Sequence, residues 1–268
     1  MKIDQKKLRE LMARGGFTAS ADRLQREENV FLVGGGLAEQ PTLETLFDSH
    51  YQSNAALFHL TFCDINSFHK AEALARVIKK NFNVHLVGRM DYAAPPHLIE
   101  RAYAAGVDIL DIPLHVFDRA SAKEAGLESE ERLRALHFAH TVFPRWSVVS
   151  TLTAGEEPPC STMAGIDALI GSGIIPLVTL SGRAAHYPAE DVAMVFSHLE
   201  AVWRKKKALI KPLLPLIQLV TPLVPKAPRT GLRGLIDSIE ERRLLATSDL
   251  RRVLRVKEVA ESFDSAGL

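Results

Sequence analysis

Six runs of apolar and β-branched residues recur along the chain, separated by segments with helical spacing. The runs are NVFLVGGG, LFHLTFC, NVHLVGR, GVDILDIPL, RWSVVSTLT and GIIPLVTLS, at residues 29–36, 57–63, 83–89, 106–114, 145–153 and 173–181. Such nearly unbroken apolar runs are typical of strands that are covered on both faces, as in parallel sheets. The pattern therefore predicts six buried parallel strands.

The segments between the runs carry helix signals. Residues 66–80 begin with polar residues, place apolar residues three and four apart, and end in a basic turn. Residues 94–106 have prolines near the start and a glycine at the end, and residues 161–171 and 189–207 follow a similar plan. Six strand–helix units with right-handed crossovers predict an α/β fold, a partial (βα)6 TIM-type barrel with parallel strands. A doubly wound sheet with helices on both faces fits the same periodicity.

The character of the sequence changes after Trp203. We predict a barrel with its N-terminal helix over residues 1–206 and a C-terminal helical extension over 207–268, where an apolar segment broken by four prolines precedes a charged helix. The stretch 204–226, basic and then apolar, fits peripheral contact with a membrane surface or with a protein partner. It equally fits closure of the open side of the barrel, where a bare sheet edge is a liability.

Composition limits the function classes. A formal charge of +1 over 268 residues argues against nucleic acid as a partner, because no strong positive field is present. Two cysteines are too few for a disulfide framework, and the N-terminus lacks a signal-peptide pattern. We therefore expect a cytoplasmic protein, with attachment at the membrane periphery as the variant that the basic stretch suggests.

The predicted strands end in acids, bases and hydroxyls. Ligands bind outside the carboxyl ends of the strands in both barrels and open parallel sheets. The candidates for catalysis at these ends are Arg89, Asp111, His115 and Glu156, and the candidates for ligand contact are Thr151, Thr153, Gly155 and Ser181. Glu156 and Glu157 could serve proton transfer, although adjacent glutamates more often form a solvated loop edge.

Three consecutive glycines, Gly34, Gly35 and Gly36, close the first run. They permit close backbone approach, which suits a phosphate, a carboxylate or an amino-acid head group. The spacing matches neither a dinucleotide fingerprint nor a Walker loop, and a tight turn is the alternative interpretation.

Other chemistry has less support in the sequence. A metal site built from His59, His85 and His115 is conceivable, but no compact histidine pair supports it, so we predict no metal ligands. Neither a GxSxG elbow nor a partner base for Cys63 is visible.

The stretches VDILDIPLHVFDRASAKEAGLESEERLRALHFAHTVFP and VVSTLTAGEEPPCSTMAGIDALIGSGIIPLVTL resemble the fourth to sixth units of the radical-SAM superfamily, in its biotin-synthase-like branch. The resemblance covers roughly residues 57–205. It implies that the end of the fourth strand faces substrate and S-adenosylmethionine, and that the turn at Gly155 and Glu156 supports the adenosyl group.

The chain departs from that family at the iron–sulfur cluster. Radical-SAM enzymes hold a [4Fe–4S] cluster with a Cys-x3-Cys-x2-Cys loop after the first strand, and this chain has GGGLAEQ there. Its cysteines, Cys63 and Cys160, lie on different units and cannot supply three thiolates. Conventional radical-SAM chemistry is therefore not expected, since the electron source is missing.

Three hypotheses follow. The first is a cluster-less radical-SAM-like barrel that binds a small ligand, with S-adenosylmethionine as the candidate cofactor. The second is a non-catalytic partner or scaffold subunit with a tail that docks on a membrane or protein. The third is a metal-dependent aldolase- or lyase-type barrel. The chain is expected to be an enzyme only if S-adenosylmethionine or a metal is bound.

Overall fold

The computed structural model describes residues 1–15, 24–36, 55–225 and Leu250. Except for Leu250, the predicted charged helix at 248–263 lies outside the described residues. The strands are β1 Lys2–Ile3, β2 Leu24–Glu27, β3 Val30–Gly34, β4 Leu57–Phe62, β5 His85–Met90, β6 Ile109–Asp111, β7 Val148–Ala154, β8 Ile175–Leu180 and β9 Leu223–Val224. The helices are α1 Gln5–Arg14, α2 Phe68–Asn81, α3 Pro96–Ala105, α4 Arg119–Glu124, α5 Ser129–Val142, α6 Pro159–Gly171, α7 Ala189–Lys206 and α8 Leu214–Val220.

Strands β2 to β8 form one curled sheet of seven strands within the described residues, in the order in which they occur along the chain. The six strands β3 to β8 are parallel, and β2 adds an antiparallel hairpin partner to β3. This half-barrel confirms the predicted partial TIM-type barrel. The sequence analysis did not predict β2, because LQRE has no apolar run.

The two faces of the sheet have different partners. Phe62 on one face packs on α2, and Leu152 on the same face packs on α6. Alternate residues of a strand point to opposite faces, so His59, Arg89 and Asp111 line the inner face of the curled sheet. Because the parallel strands end at the same edge, their polar last residues come together there.

The start and end of the described chain pack on the barrel together. β1 pairs with β9. Helix α8 contacts both β3 and β8, which lie near opposite ends of the strand order. Leu216, Ile217 and Val220 of α8 are buried in the main core. Residues 214–220 thus lie across the open side of the half-barrel, as one of the two interpretations of this segment predicted. The division of the chain at residue 206 stays a prediction.

Among the described residues, no helix has the length and apolar character needed to span a bilayer. Contact of residues 204–226 with a membrane surface stays a prediction.

Candidate functional site

The carboxyl ends of β5, β6 and β7 carry a connected group of polar side chains. Register places Arg89 beside Asp111 on neighbouring strands. After β6 the chain turns along β7, where the His115 N–H donates to the Thr151 carbonyl (3.0 Å) and the Thr153 N–H donates to the His115 carbonyl (2.7 Å). These bonds fix His115 against the end of β7. We call Arg89, Asp91, Asp111, His115, Arg132, Thr151 and Thr153 the strand-end network.

Asp111 is the most deeply buried acid of the network, with 1% of its surface exposed. One carboxylate oxygen accepts from the Thr151 N–H (3.1 Å), and the other accepts from the Thr151 hydroxyl (2.9 Å) and Arg89 Nη1 (3.3 Å). Burial raises the pKa of Asp111 above its ordinary value, although the charge of Arg89 and the hydrogen bond from Thr151 oppose the shift. The pairing with Arg89 and Thr151 offsets part of the cost of burying this group.

Asp91 joins the network from the residue after β5. Its carboxylate accepts from Arg89 Nη2 (3.1 Å) and from Arg132 Nη1 (2.8 Å), and it is 2.8 Å from His115 Nε2. Burial works to raise the pKa of Asp91, but hydrogen bonds from His115 and Arg132 and the charges of His115 and Arg89 outweigh it. The net pKa lies well below its usual range, so Asp91 is an anion.

His115 lies between an acid and a hydroxyl. Its Nε2 faces Asp91, and its Nδ1 is 3.1 Å from the Thr153 hydroxyl. An ionised carboxylate can only accept hydrogen bonds, so Nε2 carries a proton and donates a hydrogen bond to Asp91. In the neutral imidazole, Nδ1 then accepts from the Thr153 hydroxyl.

Arg132 reaches the network from α5 and is itself buried. Besides the Asp91 carboxylate, it donates to the Asp91 carbonyl (2.9 Å) and to the Pro113 carbonyl (2.6 Å). It therefore joins the loop after β5 to the loop after β6. Neither Arg132 nor Asp91 is among the site residues predicted from the sequence. Asp91 stands among the polar residues at the end of the third predicted strand, two residues after Arg89, whereas Arg132 gave no signal.

Gly155 and Glu156 follow β7, and Ser181 follows β8. The Glu156 N–H donates to the Thr153 carbonyl (3.3 Å), but the Glu156 side chain is directed elsewhere. Glu156 forms an ion pair with the exposed Arg183 (3.1 Å). Gly155 has a φ of 101°, and a Cβ there would lie 2.4 Å from the Ala184 nitrogen and 2.7 Å from the Ser181 hydroxyl. The glycine is therefore required by close packing, and its contact with a ligand stays a prediction.

Glu157 behaves differently from Glu156. It is buried, and one carboxylate oxygen accepts from the Phe117 N–H (3.0 Å) and the Asp118 N–H (2.8 Å). Burial raises the pKa of Glu157, and these backbone hydrogen bonds oppose that shift. Glu157 thus anchors the loop that carries His115.

The glycine triplet lies at the end of β3. Gly34 is opposite Thr61 of β4, and a Cβ on Gly35 would lie 2.4 Å from the Thr61 carbonyl oxygen and 2.9 Å from Ala71 Cβ. Gly35 is therefore required by the approach of β4 and α2, while Gly36 is exposed. A ligand contact at the triplet stays a prediction.

The histidines of the inner face are not arranged as a metal site. His59 is paired with Val87 and His85 with Leu57, so the two imidazoles are offset along the strands, and His115 lies at the strand ends. No group of three or more His, Cys, Asp or Glu side chains in the described ranges could hold a metal ion. Burial, together with the charge of Arg89, lowers the pKa of His59 to about 3, so this imidazole is neutral.

The network is open to solvent on one side. The side chains of Asp91, His115 and Arg89 are 41%, 24% and 18% exposed, whereas Asp111 and Thr151 are buried. A small molecule can therefore reach the exposed parts of Arg89, Asp91 and His115. Arginine binds carboxylates through paired N–H donors, and carboxylates bind ammonium groups.

The residues present do not fit an iron–sulfur cluster. Cys63 follows β4, and the exposed Cys160 lies in the first turn of α6; they are the only cysteines of the sequence. A [4Fe–4S] cluster needs more thiolates than two. No step of a reaction is therefore derived through a cluster.

Comparisons with known proteins were made at three levels. No protein-family model matches the chain, and no curated protein matches it. Among solved structures, the fold is similar to that of the radical-SAM enzyme methylornithine synthase (PylB), with a TM-score of 0.50 and 12% sequence identity. The match covers 72% of this chain and 64% of that one, so this chain spans less than two thirds of the length of PylB. The similarity supports one conclusion, that the chain folds as a partial TIM-type barrel.

Proposed function

We propose that this barrel binds a small zwitterionic ligand at the strand-end network, with S-adenosylmethionine as the first candidate. The observation that carries the proposal is the alternation of charge in the network: Arg89 and Arg132 alternate with Asp91 and Asp111. A ligand with one carboxylate and one ammonium can replace ion pairs there without leaving a charge unpaired.

Two residues of the network would each bind one charged group of the ligand. Arg89 is the partly exposed cation and would receive the ligand carboxylate, since Arg132 is held by two backbone carbonyls. Asp91 is the exposed anion that would receive the ammonium group. Bound S-adenosylmethionine would supply an electrophilic sulfonium group. Whether that group reacts is a separate question from whether it binds.

Isothermal titration calorimetry of the full chain with S-adenosylmethionine tests the proposal. We expect measurable heat with the wild type and at least tenfold weaker binding by Asp111→Asn, because Asp111 orients Arg89 and a hydrogen bond to a charged group contributes about 1.5–3 kcal/mol. His115→Ala should weaken binding as well. Asp167→Asn is the matched control, since among the described residues Asp167 pairs with His198 on the outer helices, away from the network.

The outcomes separate the hypotheses. Absence of heat with S-adenosylmethionine, and with methionine and adenosine tested singly, would contradict the proposal and favour the scaffold hypothesis. Stoichiometric zinc or manganese in the purified protein would instead favour the metal-dependent lyase. Equal affinities of the wild type and Asp111→Asn would remove the network from the binding site.

A further inference from the structure

We propose that Thr153, His115 and Asp91 form a hydroxyl–imidazole–carboxylate triad that hydrolyses carboxylic esters, an activity beyond ligand binding. The Thr153 Oγ1 is 3.1 Å from His115 Nδ1, and His115 Nε2 is 2.8 Å from Asp91 Oδ1. Both distances fall in the range expected of a nucleophile bonded to its base and of a base bonded to its orienting acid.

The protonation of the His115 nitrogens decides whether the ring can take a proton from the Thr153 hydroxyl. Asp91 is ionised and accepts from Nε2, and in the neutral imidazole the lone pair of Nδ1 is then directed at the Thr153 hydroxyl. The imidazole nitrogens exchange their roles relative to the usual triad, in which Nδ1 faces the acid. The connectivity from acid to imidazole to hydroxyl is the same.

The backbone holds His115 in place for this role. Its φ is +62°, which is uncommon for a residue with a side chain and costs energy that the surrounding structure must supply. Two backbone hydrogen bonds join it to Thr151 and Thr153 of β7, and Glu157 binds the N–H groups of Phe117 and Asp118 in the same loop. The imidazole and the hydroxyl are therefore fixed relative to one another before a substrate arrives.

The triad is accessible to solvent. Thr153 is partly exposed, and His115 and Asp91 reach solvent, so both an ester and a water molecule can approach. The guanidinium groups of Arg89 and Arg132 contact the same carboxylate as His115. These contacts hold the Asp91 carboxylate that orients the imidazole.

The reaction balances without a further reagent. The Thr153 oxygen bonds to the carbonyl carbon of the ester while His115 Nδ1 takes the hydroxyl proton. The ester C–O bond then breaks, and the alcohol leaves with that proton. A water molecule attacks the acyl-threonine, His115 takes its proton and returns it to Thr153, and the carboxylic acid is released.

The test measures hydrolysis of p-nitrophenyl acetate by the full chain, together with covalent labelling by a fluorophosphonate probe. The wild type should release p-nitrophenol and carry one label on the peptide that contains Thr153. Thr153→Val, which keeps the shape of the side chain, and His115→Ala should each lower the rate about 100-fold. Thr153→Ser should retain both the rate and the label.

Matched controls exclude a general effect of histidine. His198 pairs with Asp167 on the outside of the barrel (3.0 Å) in the same carboxylate–imidazole arrangement, but within the described part of the chain no hydroxyl bonds to the ring. Thr179 lies opposite Thr153 on β8 and donates to a backbone carbonyl. Substitutions His198→Ala and Thr179→Val should leave the rate unchanged.

Two results would overturn the proposal: no hydrolysis or labelling by the wild type, or equal rates for Thr153→Val and Thr153→Ser in folded protein. Titration of S-adenosylmethionine into the same variants distinguishes this failure from a failure of the binding proposal. An inactive protein that still binds the ligand would refute the triad alone.

Discussion

Strand β6 has a buried aspartate near each end, and the two differ in what surrounds them. Asp108 precedes the strand and is 3% exposed; its carboxylate accepts from Lys79 Nζ (3.1 Å) and from the Leu86 N–H (2.9 Å). Asp111 ends the strand and is as deeply buried, but its partner Arg89 also binds the exposed Asp91. One acid belongs to a closed ion pair, and the other belongs to a network that reaches solvent.

The backbone conformation also differs between the two ends of β6. In the loop that enters β6 the positive φ falls on Gly106, where a Cβ would lie 2.5 Å from Lys79 Cγ, so glycine relieves both the strain and the crowding. Near Asp111 the positive φ falls on His115, which has a side chain. Strain that persists on a polar side chain beside a charged network is typical of functional sites. The comparison supports the proposal that the Asp111 end forms the site, whereas the Asp108 end maintains the fold.

The largest expected effect is loss of the closed ion pair. Asp108→Ala should lower the free energy of unfolding by about 3–5 kcal/mol, because it leaves the buried Lys79 cation without its carboxylate. Asp111→Ala should cost less, since Arg89 keeps Asp91 as a partner and reaches solvent. Urea unfolding followed by circular dichroism measures both changes.

Asp167→Ala, which removes an exposed pair, serves as the control and should shift the free energy of unfolding by less than about 0.5 kcal/mol. A larger cost for Asp111→Ala than for Asp108→Ala would contradict the division of β6 into a structural end and a site end.

A smaller, pH-dependent effect is expected at His59, which lies on the inner face below the network. Its pKa is about 3 in the folded protein and about 6.5 in the unfolded chain, so between these values the unfolded chain binds one proton more. This residue therefore contributes stability above about pH 6.5 that is lost as the pH falls, by roughly 1.4 kcal/mol per pH unit.

Urea unfolding at several pH values compares the wild type with His59→Gln. The variant should lose less stability between pH 6.5 and 4, whereas His69→Gln, at an exposed position on α2, should follow the wild type. Parallel curves for the wild type and His59→Gln would show that His59 does not titrate as proposed.

The strands could be predicted from the sequence because a strand covered on both faces needs apolar residues at nearly every position. Parallel strands also bring their ends together, so Arg89, Asp111 and His115 were predicted as neighbours on topology alone. The hydrogen bonds of Arg89 and Thr151 to Asp111 agree with that expectation.

Contacts made across the fold were not predictable in the same way. Arg132 lies in SEERLRAL, where two adjacent glutamates and two arginines suggest a solvated face, and only the position of α5 directs its side chain to Asp91. The packing of Gly35 and Gly155 depends on elements distant in the sequence. A glycine required by a neighbouring carbonyl and a glycine required by a ligand give the same sequence signal.

The smallest expected effect concerns the strain at His115. A left-handed backbone costs a residue with a Cβ roughly 1–2 kcal/mol, and glycine avoids that cost. His115→Ala and His115→Gly both remove the imidazole, so the difference between them reports the backbone alone. We expect His115→Gly to be more stable than His115→Ala by about 1 kcal/mol, because the greater entropy of glycine in the unfolded chain offsets part of the gain. Urea unfolding measures the difference.

Ser147→Ala and Ser147→Gly, at a position with negative φ, should show the opposite order of stability, with alanine the more stable. If alanine is the more stable residue at position 115, the backbone there is relaxed, and the contrast between the two ends of β6 then depends on charge alone.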